Sequence, residues 1–229
     1  MKAWQKLRQQ VNTLITKKWR RLREDKLVYE YLKDKRKILD IGCGDGSFMQ
    51  WFPPGRIMGI DTNESSVKLC REKGLNVIMM DALKIDLEEK FDAVHCSHII
   101  EHFYPYQLHQ FLKRIDEMLV PGGLLIIRTP LLWDGFYDDL THIRPYNPSV
   151  LIRYLVGTEY RKTTLAPISS DYQVEKIIYR YLPLIWIKSP KNRFLSLFKF
   201  LVDSLANLGI HSCKKNAHVT ILKKFGKNL

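Results

Sequence analysis

The chain has 229 residues, of which 45% are hydrophobic and 27% are charged, and this ordinary balance excludes wholesale disorder and suits one globular domain with additions. No uninterrupted apolar segment is long enough for a signal-peptide core or a membrane span. The four cysteines lack CxxC spacing, so we expect no disulfide and no metal site, and a cytoplasmic location.

The net charge of +13 is concentrated in two terminal segments. Residues 1–36 contain 12 Lys and Arg against 4 Asp and Glu, and residues 183–229 contain 9 against 1. The central residues 37–182 contain 16 against 19. Basic segments of this kind suit an anionic partner, such as a nucleic acid or an acidic membrane face, although they can also serve solubility alone.

The first predicted element is a basic amphipathic helix. Within residues 1–24, apolar residues recur at steps of three and four, with Lys and Arg between them. We assign residues 1–34 to this N-terminal region and residues 35–229 to the main domain.

Seven short strands are predicted in the main domain, most of them separated by helices. The strands are expected at residues 37–41, 56–60, 76–80, 91–96, 123–128, 172–181 and 218–223. Helices are expected at residues 64–73 and 107–119, and a further basic helical pattern fills an insertion at about 183–216. This alternation is typical of a Rossmann-like α/β fold, in which a mostly parallel sheet of seven strands is covered by helices on both faces.

Three glycines in the segment LDIGCGDG directly follow the first predicted strand. Gly42, Gly44 and Gly46 would lie at the carboxyl edge of the sheet, where ligands bind in open parallel sheets, and would let a ligand approach the backbone. Asp61 ends the second strand, 19 residues after Gly42, a spacing that suits a carboxylate bonded to two ribose hydroxyls. An NAD site fits these two features equally well.

Three details favour a different ligand. The glycines are spaced GxGxG rather than GxGxxG, so the helix-packing glycine of NAD sites is absent. Asp40 and Asp45 flank the loop, and their carboxylates suit a cation better than a pyrophosphate. Asp81 and Ala82 end the third strand, where a carboxylate can accept a hydrogen bond from an adenine amino group. Together these features indicate S-adenosylmethionine, a nucleoside with a positive centre and an amino acid tail.

Five segments in order resemble a class I S-adenosylmethionine-dependent methyltransferase. They are LDIGCGDG (39–46), GID (59–61), MDALK (80–84), FDAVHCSHIIEHF (91–103) and LVPGGLLIIRTP (119–130). The resemblance covers about residues 35–182. It is to the small-molecule branch, which includes ubiquinone-biosynthesis and polysaccharide-modifying enzymes.

The resemblance also implies which residues hold the cofactor. The methionine end of the cofactor would be lined by Asp40, Gly42, Cys43 and Gly44. The ribose would be held by Asp61 and Thr62, and the adenine by Asp81 and Ala82. The sulfonium would lie beside Ser97 and His98.

A polar loop after the fifth strand is expected to hold the methyl acceptor. Residues 128–155 resemble the Asp-x-x-His-x-Arg stretch of methyltransferases that act on glycans and other small acceptors. His142 can take a hydroxyl proton near neutral pH, and Asp139, three residues earlier, could orient its ring. The alternative is that His142 caps the helix starting near Pro148 or packs against Tyr146.

Two other histidines are expected to have structural roles. His102 is expected one turn into a helix, and His95 lies on an apolar strand that should be part of the core.

The leading hypothesis is an O-methyltransferase for a small acceptor, or for one linked to a lipid or glycan, bound peripherally to the inner face of a membrane. The basic amphipathic segments 1–24 and 183–213 motivate the membrane contact. In the competing structural interpretation, the first segment covers the cofactor cleft and the second pairs with its counterpart in a homodimer.

Two other functions remain open. One is an RNA methyltransferase whose basic ends hold phosphates, and the other is an S-adenosylmethionine-binding protein without turnover. Nucleic acid is the less expected substrate. Residues 96–99 read Cys-Ser-His-Ile, where nucleic-acid adenine methyltransferases carry Asn-Pro-Pro and an aromatic residue.

Overall fold

The computed structural model describes residues 23–157, 164–182 and 212–225, together with Phe198, Leu201, Val202 and Leu205. Nearly all of the predicted N-terminal helix and most of the predicted helical insertion lie outside these residues, and the domain boundary after residue 34 stays a prediction. None of the helices within the described ranges is long and apolar enough to cross a membrane.

The described residues belong to two compact units. The larger contains residues 32–157, 164–179 and 217–225, and the smaller contains residues 23–31, 180–182 and 212–216 with the four single residues named above. Within the smaller unit, the Arg180 guanidinium lies 3.6 Å from Glu24 and its Nε donates to Asn216 Oδ1 at 3.1 Å. Leu182 N–H donates to the Lys214 carbonyl at 2.9 Å.

Seven strands form one sheet, as the sequence predicts. They are β1 (Ile38–Ile41), β2 (Ile57–Asp61), β3 (Val77–Met79), β4 (Phe91–Ser97), β5 (Leu119–Pro130), β6 (Tyr172–Tyr181) and β7 (Lys215–Lys224). Their order across the sheet is β3-β2-β1-β4-β5-β7-β6. The pairs among β1 to β5 are parallel, and β7 runs antiparallel to β5. The predicted fold class, a mostly parallel Rossmann-like sheet, is confirmed.

Strand β5 begins four residues before its predicted start. Pro121 and Gly122 suggest a turn in the sequence, yet they lie inside the strand, at a register shift in which Phe91 pairs with Leu119 and Ala93 with Leu124. Extra residues in one strand of a pair form a bulge without ending the pairing.

Within residues 23–157 the structure has helices α1 at residues 23–32, α2 (Glu64–Glu72), α3 (Pro105–Met118) and α4 (Pro148–Leu155). Asn63 caps α2 by accepting a hydrogen bond from Ser66 N–H at 3.0 Å. Helix α3 begins two residues before its predicted start, because Pro105 suits the first helical position and Gln107 Oε1 accepts from Tyr104 N–H.

The central strands are buried along their length. All four residues of β1 are buried, and so are Ala93, Val94 and Cys96 of β4. Continuous apolar strands of this kind are typical of a parallel sheet covered on both faces. Asp40 is the polar exception in β1, and its Oδ1 lies 2.8 Å from His95 Nδ1 in the same interior. His95 is thus a core residue, as expected.

His218 of β7 is a buried histidine whose two ring nitrogens both have partners. Its Nε2 donates to the Tyr146 carbonyl at 2.9 Å, and its Nδ1 lies 2.8 Å from Thr220 Oγ1, from which the neutral ring accepts. Burial lowers the pKa of His218 below its usual value. The ring is therefore neutral in the folded chain at neutral pH.

We predict that His218 makes the protein less stable in acid. Between the ordinary histidine pKa and the lowered pKa of the folded chain, the unfolded chain binds a proton that the folded chain does not. The free energy of unfolding therefore decreases as the pH is lowered through this range. His218 alone changes the free energy of unfolding by up to about 1.4 kcal/mol per pH unit. Denaturant unfolding at pH 7.5, 6.5 and 5.5 should show a weaker pH dependence in His218→Gln than in wild type. An equal slope in His218→Gln and wild type would contradict the assignment.

Candidate functional site

A cleft opens at the carboxyl ends of β1, β2, β3 and β4. Strands β2 and β3 lie on one side of β1, and β4 lies on the other, so the strand order reverses at β1. Open α/β sheets bind ligands at this topological switch point. The cleft has a volume of about 220 Å³. It is lined by Gly42, Ile60, Asp61, Thr62, Met80, Asp81, Ala82, Ile99, His102 and Phe103.

The glycine loop after β1 presents bare backbone to this cleft. Gly42 has a φ of +71°, and a Cβ at this position would overlap the side chain of Ile99. Gly44 has a φ of +54°, and a Cβ there would meet no described atom within 4 Å. Left-handed backbone is available to glycine at no steric cost. The loop therefore combines a close approach at Gly42 with open space at Gly44.

Asp61, at the end of β2, holds the glycine loop in place. Its Oδ2 accepts from Gly44 N–H at 2.8 Å, and its Oδ1 accepts from Asn63 N–H at 2.8 Å. An ionised carboxylate has about four acceptor positions. Each oxygen of Asp61 can therefore accept a further hydrogen bond, which fits the predicted contact with two ribose hydroxyls.

The remaining residues predicted for the ribose and adenine also line the cleft. Thr62 follows Asp61 directly, and Asp81 and Ala82 follow β3. Asp81 Oδ1 accepts from Leu83 N–H at 2.9 Å, which fixes its side chain at the strand end. Five of the ten residues predicted to bind the cofactor (Gly42, Asp61, Thr62, Asp81 and Ala82) thus share one cleft.

Asp40 and Cys43 are buried and are not among the residues that line the cleft. Asp40 is 2% exposed and is joined to His95. Burial, reinforced by the negative charge of Asp40, raises the pKa of the Cys43 thiol far above its usual value. The thiol therefore stays protonated and is no nucleophile.

Ser97 and His98 follow at the carboxyl end of β4, and His98 has an unusual backbone. Its φ is +59°, in the left-handed region that non-glycine residues rarely adopt. His98 N–H donates to the Arg128 carbonyl at 2.9 Å, and its Nδ1 lies 3.2 Å from Glu101 Oε1. Strained backbone of this kind is found most often at functional sites.

The loop between β5 and α4 is fastened to the edge of the cleft. The N–H groups of Ile143 and Arg144 donate to the Glu101 carbonyl at 2.9 and 3.2 Å, and Tyr146 Oη donates to the Phe103 carbonyl at 2.8 Å. We call residues 131–147 the acceptor loop. As a result, the ring of His142 lies 5.1 Å from the ring of His102, which lines the cleft.

The backbone, rather than Asp139, orients His142. His142 Nδ1 lies 2.7 Å from the Phe136 carbonyl oxygen, which can only accept, so Nδ1 carries the hydrogen and the neutral ring keeps a lone pair on Nε2. Asp139 Oδ1 instead accepts from both N–H and Oγ1–H of Thr141, and these bonds lower the pKa of Asp139. The contact predicted between Asp139 and His142 is therefore replaced by one from Phe136. Helix α4 starts at Pro148, and its N-cap residue is Asn147, with no side-chain capping hydrogen bond, so His142 does not cap this helix.

Two residues of the site were not predicted from the sequence. Glu101 has a fully buried side chain whose Oε1 lies 3.2 Å from His98 Nδ1 and whose Oε2 accepts from Thr129 Oγ1 at 3.1 Å. His102, expected to be structural, ends a short 3₁₀ helix (Ile100–His102) and lines the cleft. Ser97 and His98 were predicted from their position after β4, and the same argument applies to Glu101 and His102, a few residues later.

Known proteins share the central part of this chain. Residues 39–127 match the model of a family described as methyltransferase domain. A tRNA (carboxymethyluridine(34)-5-O)-methyltransferase from Arabidopsis thaliana is 28% identical over 123 residues, which are 52% of this chain and 29% of the relative. A carboxy-S-adenosyl-L-methionine synthase from Trichodesmium erythraeum is 28% identical over 126 residues, 49% of this chain and 50% of the relative. The chain thus spans half or less of the length of these curated relatives.

The fold is shared over almost the whole chain. A solved S-adenosylmethionine-dependent methyltransferase from Archaeoglobus fulgidus superposes with a TM-score of 0.59 at 24% identity, covering 93% of this chain and 94% of that one. This likeness shows the fold, and the family match over residues 39–127 covers the glycine loop and the ends of β2, β3 and β4. The predicted resemblance to class I S-adenosylmethionine-dependent methyltransferases is therefore confirmed over residues 39–127, which match a methyltransferase domain.

Proposed function

We propose that the protein transfers a methyl group from S-adenosylmethionine to an oxygen of a small acceptor, or of an acceptor linked to a lipid or glycan. One observation carries the proposal. The acceptor loop is fastened by main-chain hydrogen bonds to Glu101, which brings His142 next to a residue that lines the cofactor cleft. Methyl transfer to a hydroxyl that does not lose its proton by itself requires a proton-accepting group beside the methyl donor.

The cleft fits the cofactor on physical grounds. Gly42 and Gly44 offer a bare backbone, the Asp61 carboxylate keeps acceptor positions for a diol, and Asp81 offers a carboxylate at the next strand end. When bound, the cofactor supplies an electrophilic methyl group on a positively charged sulfur. The residues of the chain hold the donor and fix its position relative to the acceptor, and such alignment accounts for much of the rate of a displacement reaction.

On the acceptor side, His142 has the means to take a proton. Its Nδ1–H is fixed by the Phe136 carbonyl, so the lone pair for an incoming proton is on Nε2. The ring packs on Phe136, with the centroids 4.7 Å apart, and lies beside His102. These contacts restrict its rotation, which favours a positioned general base.

An RNA substrate is the second candidate, since the Arabidopsis relative is named as a tRNA methyltransferase. The match covers only 29% of that relative, and the family match over residues 39–127 ends before the acceptor loop begins. A protein that binds the cofactor without turnover is the third. Labelled cofactor is incubated with the protein and either pooled RNA or glycan and lipid extracts. Label in RNA indicates an RNA methyltransferase, label in the extracts supports the proposed function, and label in neither indicates a binding protein without turnover.

We predict that Asp61→Ala severely weakens the binding of S-adenosylmethionine. The change removes the acceptor of the ribose hydroxyls and the Oδ2 that holds Gly44 N–H. Hydrogen bonds to charged groups contribute about 1.5–3 kcal/mol each, so the dissociation constant should rise at least about tenfold. Calorimetry should detect the change. Asp86→Ala removes an exposed carboxylate outside the cleft and serves as the control. Equal affinity of Asp61→Ala and wild type would refute the assignment.

We predict that His142→Ala lowers turnover by about a hundredfold or more, because a positioned proton acceptor contributes on this scale. Cofactor affinity should remain close to wild type, since His142 is not among the residues that line the cleft. The assay follows methyl transfer to whichever extract wild type modifies, with His109→Ala as the matched control. Full activity of His142→Ala, or loss of its cofactor binding, would show that His142 has another role.

We further propose a peripheral membrane contact through the basic segments 1–24 and 183–213, which is supported by their charge and apolar spacing. Each cation near an anionic surface adds about 1 kcal/mol, and salt screens this attraction. The protein should float with vesicles containing acidic lipid and lose that binding as salt rises. A chain starting at Leu27 should float less. If neither protein floats, the basic segments serve another partner, such as RNA or a second subunit.

A further inference from the structure

Three potential metal ligands meet at the junction of the cofactor cleft and the acceptor loop. Glu101 and His102 follow β4, and His142 comes from the acceptor loop, 40 residues later. One ligand atom from each of these side chains lies within 4.8 Å of the others. The sequence gives no sign of this cluster, because none of the three pairs shows the spacing of a metal motif.

Both histidines are held in the way that metal-binding histidines are held. His102 Nδ1 lies 2.9 Å from the Thr141 carbonyl oxygen, and His142 Nδ1 lies 2.7 Å from the Phe136 carbonyl oxygen. A carbonyl can only accept, so both Nδ1 atoms carry the hydrogen and both Nε2 atoms keep a lone pair. Such a bond to a backbone carbonyl fixes the tautomer and the orientation of a ligating imidazole.

Glu101 adds a negative charge in the interior. Its side chain is fully buried, and its oxygens contact His98 and Thr129, one each. Each carboxylate oxygen has two acceptor positions, so Glu101 can bind an ion while keeping both contacts. Burying a charge is costly unless it is paired, and a divalent cation is a strong partner.

The cluster is also open on one side. Glu101 is buried, but His102 and His142 are only half-buried, and His102 lines the cofactor cleft. Two imidazoles and one carboxylate form a three-ligand set, which in catalytic zinc sites leaves a further position for water or substrate. Imidazole ligands favour Zn²⁺, Co²⁺ or Ni²⁺ over Mg²⁺.

We infer that Glu101, His102 and His142 bind one divalent ion of this class, and that the ion holds the oxygen of the methyl acceptor. Ligand atoms at about 2.1 Å from a tetrahedral ion are about 3.4 Å apart, so side-chain movements of about 1 Å complete the site. The second half of the inference rests on the proposed function. A hydroxyl that replaces the metal-bound water becomes more acidic and releases its proton to solvent. The inference keeps the proposed O-methylation but gives the task of making the hydroxyl acidic to the ion, because the single lone pair of His142 Nε2 then binds the metal and no longer accepts the proton.

Metal binding can be measured without any acceptor. The untagged full chain is treated with chelator and titrated calorimetrically with Zn²⁺, and Co²⁺ is added separately to record its visible absorption bands. Wild type should bind one Zn²⁺, and the Co²⁺ spectrum should indicate tetrahedral or five-coordinate geometry. His102→Gln and His142→Gln should weaken Zn²⁺ binding at least about tenfold. The matched control His109→Gln changes a histidine of α3, whose Nε2 lies 2.8 Å from the Ala166 carbonyl, and should bind Zn²⁺ like wild type.

The outcomes separate this inference from the proposed function. Glu101→Gln keeps the size of a buried side chain, and its thermal unfolding shows whether the variant is folded before its Zn²⁺ affinity is compared. Weaker Zn²⁺ binding in folded variants that still bind S-adenosylmethionine supports the metal site. The inference is overturned if wild type does not bind Zn²⁺ or if both histidine variants bind it unchanged. Failure of wild type to bind S-adenosylmethionine would instead count against the proposed function.

Discussion

The site depends on the hydrogen bonds of Glu101. Its carbonyl oxygen accepts the N–H groups of Ile143 and Arg144, and its carboxylate contacts His98 after β4 and Thr129 of β5. One residue therefore connects two strand ends and the acceptor loop. Because its side chain is fully buried, water does not compete for these contacts, and each is stronger than it would be on the surface. This connection fixes the acceptor loop at Ile143 and Arg144, and the bond from Tyr146 Oη to the Phe103 carbonyl fixes it near its end.

The strand ends beside Glu101 show why the cleft forms between β1 and β4. Gly42 follows β1 in left-handed backbone, packed so closely on Ile99 that a Cβ would overlap the Ile99 side chain. His98 ends the neighbouring β4 in the same region of φ, which costs about 1–3 kcal/mol for a residue other than glycine. The segments that follow the adjacent strands β1 and β4 thus both turn sharply away from the sheet at the switch point. The space they leave is the space in which a ligand binds.

Much of the fold and half of the cofactor site follow from local sequence signals. Apolar strands that end in glycine or aspartate are short-range patterns, and the edge of a parallel sheet brings their ends together whatever the rest of the chain does. That is why Gly42, Asp61 and Asp81 could be assigned to one cleft before the structure was known. The early start of β5 could not be predicted, because Pro121 and Gly122 give the same signal in a turn and in a bulge.

The acceptor side was less predictable because its geometry is set by tertiary contacts. Asp139 and His142 are three residues apart, a spacing that suggested a pair, but a local turn directs Asp139 to Thr141 instead. Phe136 orients His142 through a carbonyl group that every residue possesses, so no side-chain pattern marks it. The meeting of Glu101 with His142 depends on the path of the whole acceptor loop.

The acceptor loop lies outside the part of the chain that is shared with known proteins. The family match ends at residue 127, before the acceptor loop begins, and the Arabidopsis and Trichodesmium relatives share only about half of this chain. The bonds between the loop and Glu101 join main-chain groups, so they do not depend on which side chains the loop carries. Leu140 is fully exposed, and Leu132 and Tyr137 are more than half exposed. In the proposed function, the exposed side chains of the loop would contact the acceptor while its backbone stays fixed at the cleft, so acceptor choice and cofactor binding would depend on different residues.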